Sequence, residues 1–404
     1  MAININAKTS GVGGLETTAD NSGNINIQSG GSTVMSVTSS GVAVTGSFSQ
    51  NGAVYSTQPS FRNLIINGDM RIDQRNAGAS VTPVNAQYLT DRFSSLLTQS
   101  SKFTAQQSST APSNFTKSLV ITSSSAYSVL TGDAFGILQK IEGNNIAHLG
   151  WGTSDAKTVT LSFYVRSSLT GTFGGAILNE AVDRSYPFSY TISSADTWER
   201  KTITIVGDTT GTWDTDNTLG MQVHWGLGVG STYSGTSGSW AGAYYLSATG
   251  ATSVVGTSGA TFYITGVQLE VGSTATDFEN LPYDVSLARC QRYYYKEQAT
   301  FAGQYFAPNA YAIGTTSAFT FNTFPVPMRT RPTALEQSGT ASDYSLVRCG
   351  AGTFTICNSV PTFGGSSLTI GQCVFNVASG LSNGFAGSGM SQSTNAYLAW
   401  SAEL

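Results

Sequence analysis

Between Thr261 and Lys296 the chain reads TFYITGVQLEVGSTATDFENLPYDVSLARCQRYYYK, and this stretch constrains the fold more than any other. Phe262 and Ile264 share one face of an extended strand, whereas Val267, Leu269 and Val271 continue the alternation in the opposite phase. A one-residue slip would turn half of such a strand inside out. One extra residue at Gly266, a β-bulge, is therefore expected to restore a single apolar face. A small polar loop follows from Gly272 to Thr276, then an acidic turn around Asp277 and Glu279. Pro282, a short helix from about Ser286 and the aromatic run Tyr293, Tyr294, Tyr295 complete the stretch. The chain before it reads as a β-domain that this strand closes, and the chain after it as another, with a hinge between.

Composition supports an all-β architecture. Only 10% of the 404 residues are charged, against a usual value of about 25%. Glycine is abundant at 45 residues, and 20 Phe, 18 Tyr and 6 Trp supply apolar surface that disordered chains lack. The stock of Leu, Glu, Lys and Arg is too thin for long amphipathic helices. A net charge of −4 and the lack of any Lys/Arg stripe argue against nucleic acid as a partner. No apolar run approaches the roughly 18 residues of a membrane span, and MAININAKTS has neither the basic nor the apolar region of a secretory signal. Cys290, Cys349, Cys357 and Cys373 have no CxxC spacing and no neighbouring histidine, so they read as small buried hydrophobes rather than zinc ligands.

Three segments are expected. Residues 1–58 carry Ile25, Ile27, Val34, Val37, Val42 and Val44 at strand spacing between glycine turns, with too few large side chains for a core of their own. Such strands need partners, and other copies of the same segment supply them most simply. The alternative is a Ser/Gly/Thr linker, but repeated Ile and Val at strand spacing favour an intertwined β segment. Residues 59–285 read as a two-sheet sandwich, with Val159, Leu161, Phe163 and Val165 in clean period-two alternation. Residues 286–404 read as a second, distal β-domain, in which Ser379 to Gln392 is a Gly/Ser loop too polar to pack.

Three stretches resemble segments of bacteriophage tail-fibre and other virion proteins that contain a jelly-roll, carbohydrate-binding-module-like domain. FRNLIINGDMRIDQRNAG at Phe61 to Gly78 is similar to the opening of that domain, the stretch at Thr261 to Lys296 to its end, and AYLAWSAEL at Ala396 to Leu404 to the chain ending. The resemblance brackets most of the chain, rests on structural motifs and names no ligand. It implies a central jelly roll, a homotrimer, a place in the virion with residues 1–58 docked on other virion proteins, and assembly in the host cytoplasm before release by lysis. It also implies adhesion to a host cell-surface polysaccharide. A capsid-decorating or tail-adaptor protein without a glycan site is the alternative, and a polysaccharide depolymerase the third reading.

Enzymatic motifs do not hold up. Gly380-Leu-Ser-Asn-Gly384 matches a nucleophile elbow, yet both histidines, His148 and His224, lie far upstream and no helix follows. Glu142, Glu180, Asp183 and Asp214 are carboxylates without a visible pairing, and no β-helix repeat is present. Asp214-Thr-Asp216-Asn217 opens like an EF-hand, but Leu219 and Trp225 occupy positions that need Gly and Glu. No cofactor is expected, apart from a looser structural calcium site at Asp214 and Asp216, of a kind that related jelly rolls often hold. Recognition by aromatics is the expectation left. Trp213, Tyr233 and Trp240 fall in the Gly/Ser-rich region from Gly207 to Gly259, beside Asp214, Asp216 and Asn217. Sugar C–H faces stack on such rings while carboxylates and amides bond hydroxyls. Asn383 and Phe385 on the distal loop form a second candidate group.

Overall fold

Thr261–Val271 is a single strand, and the break in its alternation is a bulge. In the computed structural model Ser162 pairs with Gln268 and Tyr164 with Thr265, so Phe163 alone faces both Gly266 and Val267. Gly266 has φ +60°, a left-handed conformation that glycine adopts without strain. The extra residue returns Val267 and Leu269 to the face of Phe262 and Ile264, and all four are fully buried. The structure describes residues 3–7, 15–16, 25–29, 32–39, 41–44, 48–50, 53–55, 61–349 and 354–404.

The bulged strand is the centre of a five-stranded antiparallel sheet, in the order Phe103–Ser108, Ser118–Ser123, Thr261–Val271, Val159–Ser167, Glu199–Ile205. A six-stranded sheet faces it, in the order Ser185–Ile192, Gly171–Leu178, Leu219–Val229, Ala134–Glu142, Phe93–Leu97, Tyr88–Thr90. The chain changes sheet at most connections between Ser118 and Val271, which is jelly-roll wrapping. Phe93, Phe135, Phe163, Phe173, Phe188 and Trp225 meet in the core between the sheets.

Residues 63–70 brace the two sheets. The Asn63 side chain donates to the Val267 carbonyl (3.0 Å) and accepts from the Leu269 amide (3.0 Å). Three residues on, the Gln139 amide of the facing sheet accepts from Ile66 N (2.8 Å) and donates to its carbonyl (2.9 Å). A Cβ at Gly68 would lie 2.1 Å from the Val267 carbonyl oxygen, so only glycine permits this approach.

The helix Tyr283–Gln291 leads into the second sandwich. A three-stranded sheet, Tyr294–Gln298, Tyr397–Ser401 and Glu336–Gln337, packs on a seven-stranded one. The latter runs Phe354–Ile356, Tyr344–Arg348, Ala386–Ser391, Tyr305–Ala312, Ser317–Thr323, Ile370–Asn376, Thr362–Ser366. Ala386–Ser391 was expected to be loop, yet it pairs on both sides inside this sheet. Its glycines are the reason. A Cβ on Gly387 would meet the Val347 carbonyl at 2.3 Å, and one on Gly389 would press on the Phe375 ring at 3.1 Å. Of the cysteines, Cys290, Cys357 and Cys373 are buried as expected, whereas Cys349 is exposed at the end of its strand.

Where the two sandwiches meet the contact is cross-braced, and Asn63–Leu404 forms one compact unit. Arg292 grips Glu142 with two hydrogen bonds (3.0 and 2.6 Å), and Tyr293 adds a third (2.7 Å). Burial pushes the Glu142 carboxyl up, but these bonds outweigh it and hold its pKa below the usual range. Arg92, 1% exposed, pairs with Glu403 and lies 3.6 Å over the Tyr293 ring. Arg329 donates to the carbonyls of Ala402, Glu403 and Asn217.

Met1–Arg62 forms the other unit. Its five-stranded sheet runs Leu15–Glu16, Ile3–Ala7, Ile25–Ser29, Ser32–Thr38, Gly41–Val44, and Ile3–Ala7 lies parallel to Ile25–Ser29. Phe48–Gln50 and Ala53–Tyr55 form a separate hairpin. Side chains are described here at 25–28, 32–39 and 61–62, and none of these is buried. The linker alternative for the remaining stretches of 1–58 lies outside the described residues.

Two stability predictions follow from this framework. Gly68→Ala forces its methyl into the Val267 carbonyl and should cost about 2 kcal/mol or more, read as a fall in melting temperature. Glu297 sets a pH dependence. Burial lifts its carboxyl to about 7, against smaller opposing hydrogen bonds from Asn322 and Tyr295. The folded value lies above the unfolded one, so stability falls as pH rises from about 4.5 to 7. Buried His224, pushed down to about 3, acts oppositely and loses stability as pH falls below about 6.5. In denaturation series across pH, Glu297→Gln should exceed wild type by about 2–3 kcal/mol near pH 8 and lose that advantage below about pH 4.5.

Candidate functional site

The return loop after the bulged strand folds back over that strand's outer face. Gln268 and Glu270 point outward there, yet both are buried because the loop binds them. Glu279 N donates to the Gln268 side chain (2.8 Å), and Thr276 donates to Glu270 from its amide (2.8 Å) and hydroxyl (2.7 Å). Beside this anchored loop stands the turn that carries Asn114 and Phe115. Between them lies an open pocket of ≈ 420 Å³, lined by Ser113, Asn114, Phe115, Tyr164, Asp277, Phe278 and Asn280.

The bulge shapes this pocket. A Cβ at Gly266 would sit 2.7 Å from Phe115 and 2.9 Å from Tyr164, so the bare glycine lets both rings settle against the sheet. Phe115 packs 5.3 Å from Tyr164 and 5.1 Å, edge-on, from Phe278. The three rings are half-buried, while Asn114, Asp277 and Asn280 are exposed around them. An apolar floor rimmed by amides and one carboxylate suits a small ligand with C–H faces and hydroxyl edges. The volume lies in the range of ordinary ligand sites, about 300–1,000 Å³.

The residues singled out from sequence occupy other places. Trp213, 7% exposed, donates to Asp208 (3.2 Å) and packs edge-on against Trp151 (4.7 Å) and Trp240 (5.6 Å). Trp240 is half-exposed and donates to the Val206 carbonyl (2.8 Å). Arg184 holds Asp208 with two hydrogen bonds beneath this cluster (2.9 and 2.6 Å). Tyr233 packs edge-on against Tyr244 (5.4 Å) on the outer face of the six-stranded sheet. Asp214 is half-exposed; Asp216 and Asn217 are exposed. Asp216 accepts from the Thr218 amide (2.8 Å) and hydroxyl, which hold its carboxyl below the usual range, and its carbonyl accepts from Asn144 N (2.6 Å). Among the described residues no three His, Cys, Asp or Glu side chains converge as a metal site. Asn383 is exposed, and Phe385 lies half-buried under Arg348, on the second sandwich.

Sequence reasoning passed over Phe115, Tyr164 and Phe278. Tyr164 had a usable signal, since it points away from the core in an otherwise clean alternation and lies next to the bulge. Phe115 and Phe278 had none, because they meet it from 49 and 114 residues away.

No protein-family model matches the chain, and no curated protein matches it. Solved structures superpose on about half of it. The enzymatically active domain of bacteriophage CBA120 tailspike protein 4 aligns at 12% identity and TM-score 0.31, over 52% of this chain and 22% of that one. A family 11 carbohydrate-binding module from Clostridium thermocellum, in complex with a β-1,3-1,4-mixed-linked tetrasaccharide, aligns at 11% identity and TM-score 0.26, over 50% and 99%. TmCBM61 in complex with β-1,4-galactotriose aligns at 8% identity and TM-score 0.27, over 52% and 99%. These superpositions are partial, and the sandwich assignment rests on the strand order itself.

Proposed function

We propose that this chain is a non-enzymatic adhesion protein of a bacteriophage particle, similar to a tail fibre, that binds a neutral sugar of a host surface polysaccharide. The Phe115–Tyr164–Phe278 pocket carries the binding part of this reading, because its rings offer stacking faces while amides reach hydroxyls. Its lining holds one carboxylate, Asp277, where glycoside hydrolysis takes two. The place in a virion rests on the resemblance of Phe61–Gly78, Thr261–Lys296 and Ala396–Leu404.

Assembly from copies has separate support. The outer face of the seven-stranded sheet presents Tyr305, Tyr311, Phe319, Phe321, Val374, Ile370 and Ile356, all exposed or half-exposed. No charged residue shares their positions in the paired register. Seven strands of about six residues give a face on the order of 600 Å², close to the roughly 800 Å² per partner of a standard interface. A homotrimer would bury such faces and would turn weak single sugar sites into avid ones.

Two experiments test the reading. Phe115→Ala and Tyr164→Ala should each weaken retention on neutral host polysaccharide by about tenfold while particles still assemble; unchanged adsorption would favour a decoration or adaptor role. The solution mass of the full chain should be three times 42.3 kDa. If a chain lacking residues 1–58 falls to monomer, that segment is the assembly element. A trimer that persists assigns assembly to the sandwiches.

A further inference from the structure

We propose that the groove where the two sandwiches meet binds a carboxylated sugar, such as a uronate residue of an acidic polysaccharide. A pocket of ≈ 410 Å³ opens there. Arg75, Asn76, Gln87 and Tyr88 come from the jelly roll; Tyr294, Lys296, Glu336, Tyr397 and Ser401 come from the second sandwich. A second pocket of ≈ 310 Å³ shares Glu336 and Ser401 with it and extends past Thr330 and Arg331. Together they are longer than one sugar ring.

The geometry is that of cations held over aromatic rings. The Arg75 guanidinium lies 3.6 Å over Tyr294 and 4.4 Å over Tyr88, and Glu403 fixes it (3.2 Å). That arginine is occupied. Lys296 is less so: its ammonium sits 4.3 Å over the Tyr397 ring, its hydrogen bond to the Arg75 carbonyl is a long 3.4 Å contact, and although the carboxylates of Asp73, Glu336 and Asp91 act on it, none of them reaches ion-pair distance among the described residues. A half-buried ammonium above an aromatic ring, open to a cavity, has hydrogen-bonding capacity left for an anion. Arg331 at the far end is exposed and likewise unpaired among the described residues. Glu336 stands between these cations and accepts from the Tyr294 hydroxyl (3.0 Å). Its charge disfavours an anion at the middle of the groove. Lys296 is therefore placed to receive a ligand carboxylate, with Gln87 and Ser401 on the same lining to meet hydroxyls.

This inference takes its ligand class from the glycan reading but uses a different pocket, so the two fail separately. The test is titration calorimetry of the full chain with an oligosaccharide in which glucuronate and neutral sugars alternate, and with its carboxyl-reduced counterpart. The acidic ligand should bind with an affinity that falls as salt rises, and the reduced one about tenfold or more weaker. Lys296→Met should cost the acidic ligand about tenfold or more and remove most of the salt dependence. It should leave the melting temperature and the neutral-sugar binding of the Phe115 pocket unchanged. Lys296→Arg, which keeps the charge, should retain most of the acidic binding. Phe115→Ala should show the reverse pattern. Absence of binding by the acidic oligosaccharide, equal binding of the two ligands, or undiminished binding by a folded Lys296→Met protein would each overturn the proposal. Loss of neutral binding alone would strike only the Phe115 pocket.

Discussion

Everything in the jelly roll depends on how the Thr261–Val271 strand is closed. The bulge at Gly266 lets one strand serve the core along its whole length, and it exposes Val267 and Leu269 backbone to the Asn63 side chain. Asn63 then fixes the course of residues 64–68, which Gln139 catches from the opposite sheet. Two side-chain amides thus satisfy buried backbone groups that would each cost about 1–3 kcal/mol unpaired. The return loop is held by the same strand through Gln268 and Glu270, and the pocket beside Phe115 exists because that loop is anchored. Core, closure and site share one strand.

The second sandwich is bound to the first by charge rather than by apolar area alone. Glu142, Arg292, Tyr293, Arg92 and Glu403 meet at the junction with hydrogen bonds to nearly every charged group. Buried ions are costly unless paired, so this set tolerates the loss of a member poorly. The groove that holds Lys296 draws residues from both.

Much of the chain was legible from residue patterns. The bulge in Thr261–Val271 and the half-buried strand through Val159 to Val165 follow from alternation and from one misplaced glycine. The six-stranded sheet was largely missed. Gly171–Leu178 and Ser185–Ile192 are buried on both faces or rich in glycine, so they lack the period-two signal of a half-exposed strand. Ala386–Ser391 was misread for a related reason. Its glycines look like loop until the Val347 carbonyl, from a strand 40 residues upstream, and the Phe375 ring are seen to need the space.

The same limit decided the site. The sequence by itself determined an all-β chain, the phase of its strands, the place of the bulge and a surplus of aromatic rings for recognition. Tertiary structure alone decided which rings are open. Trp213 sits in a glycine-rich stretch that suggests exposure, yet Trp151, Trp240 and Asp208 enclose it. Tyr164 looks like an ordinary outward residue, yet it forms the wall of a pocket. Alternation along a strand reports which face a side chain takes. What covers that face is set by contacts between residues far apart in the chain, and those exist only once it has folded.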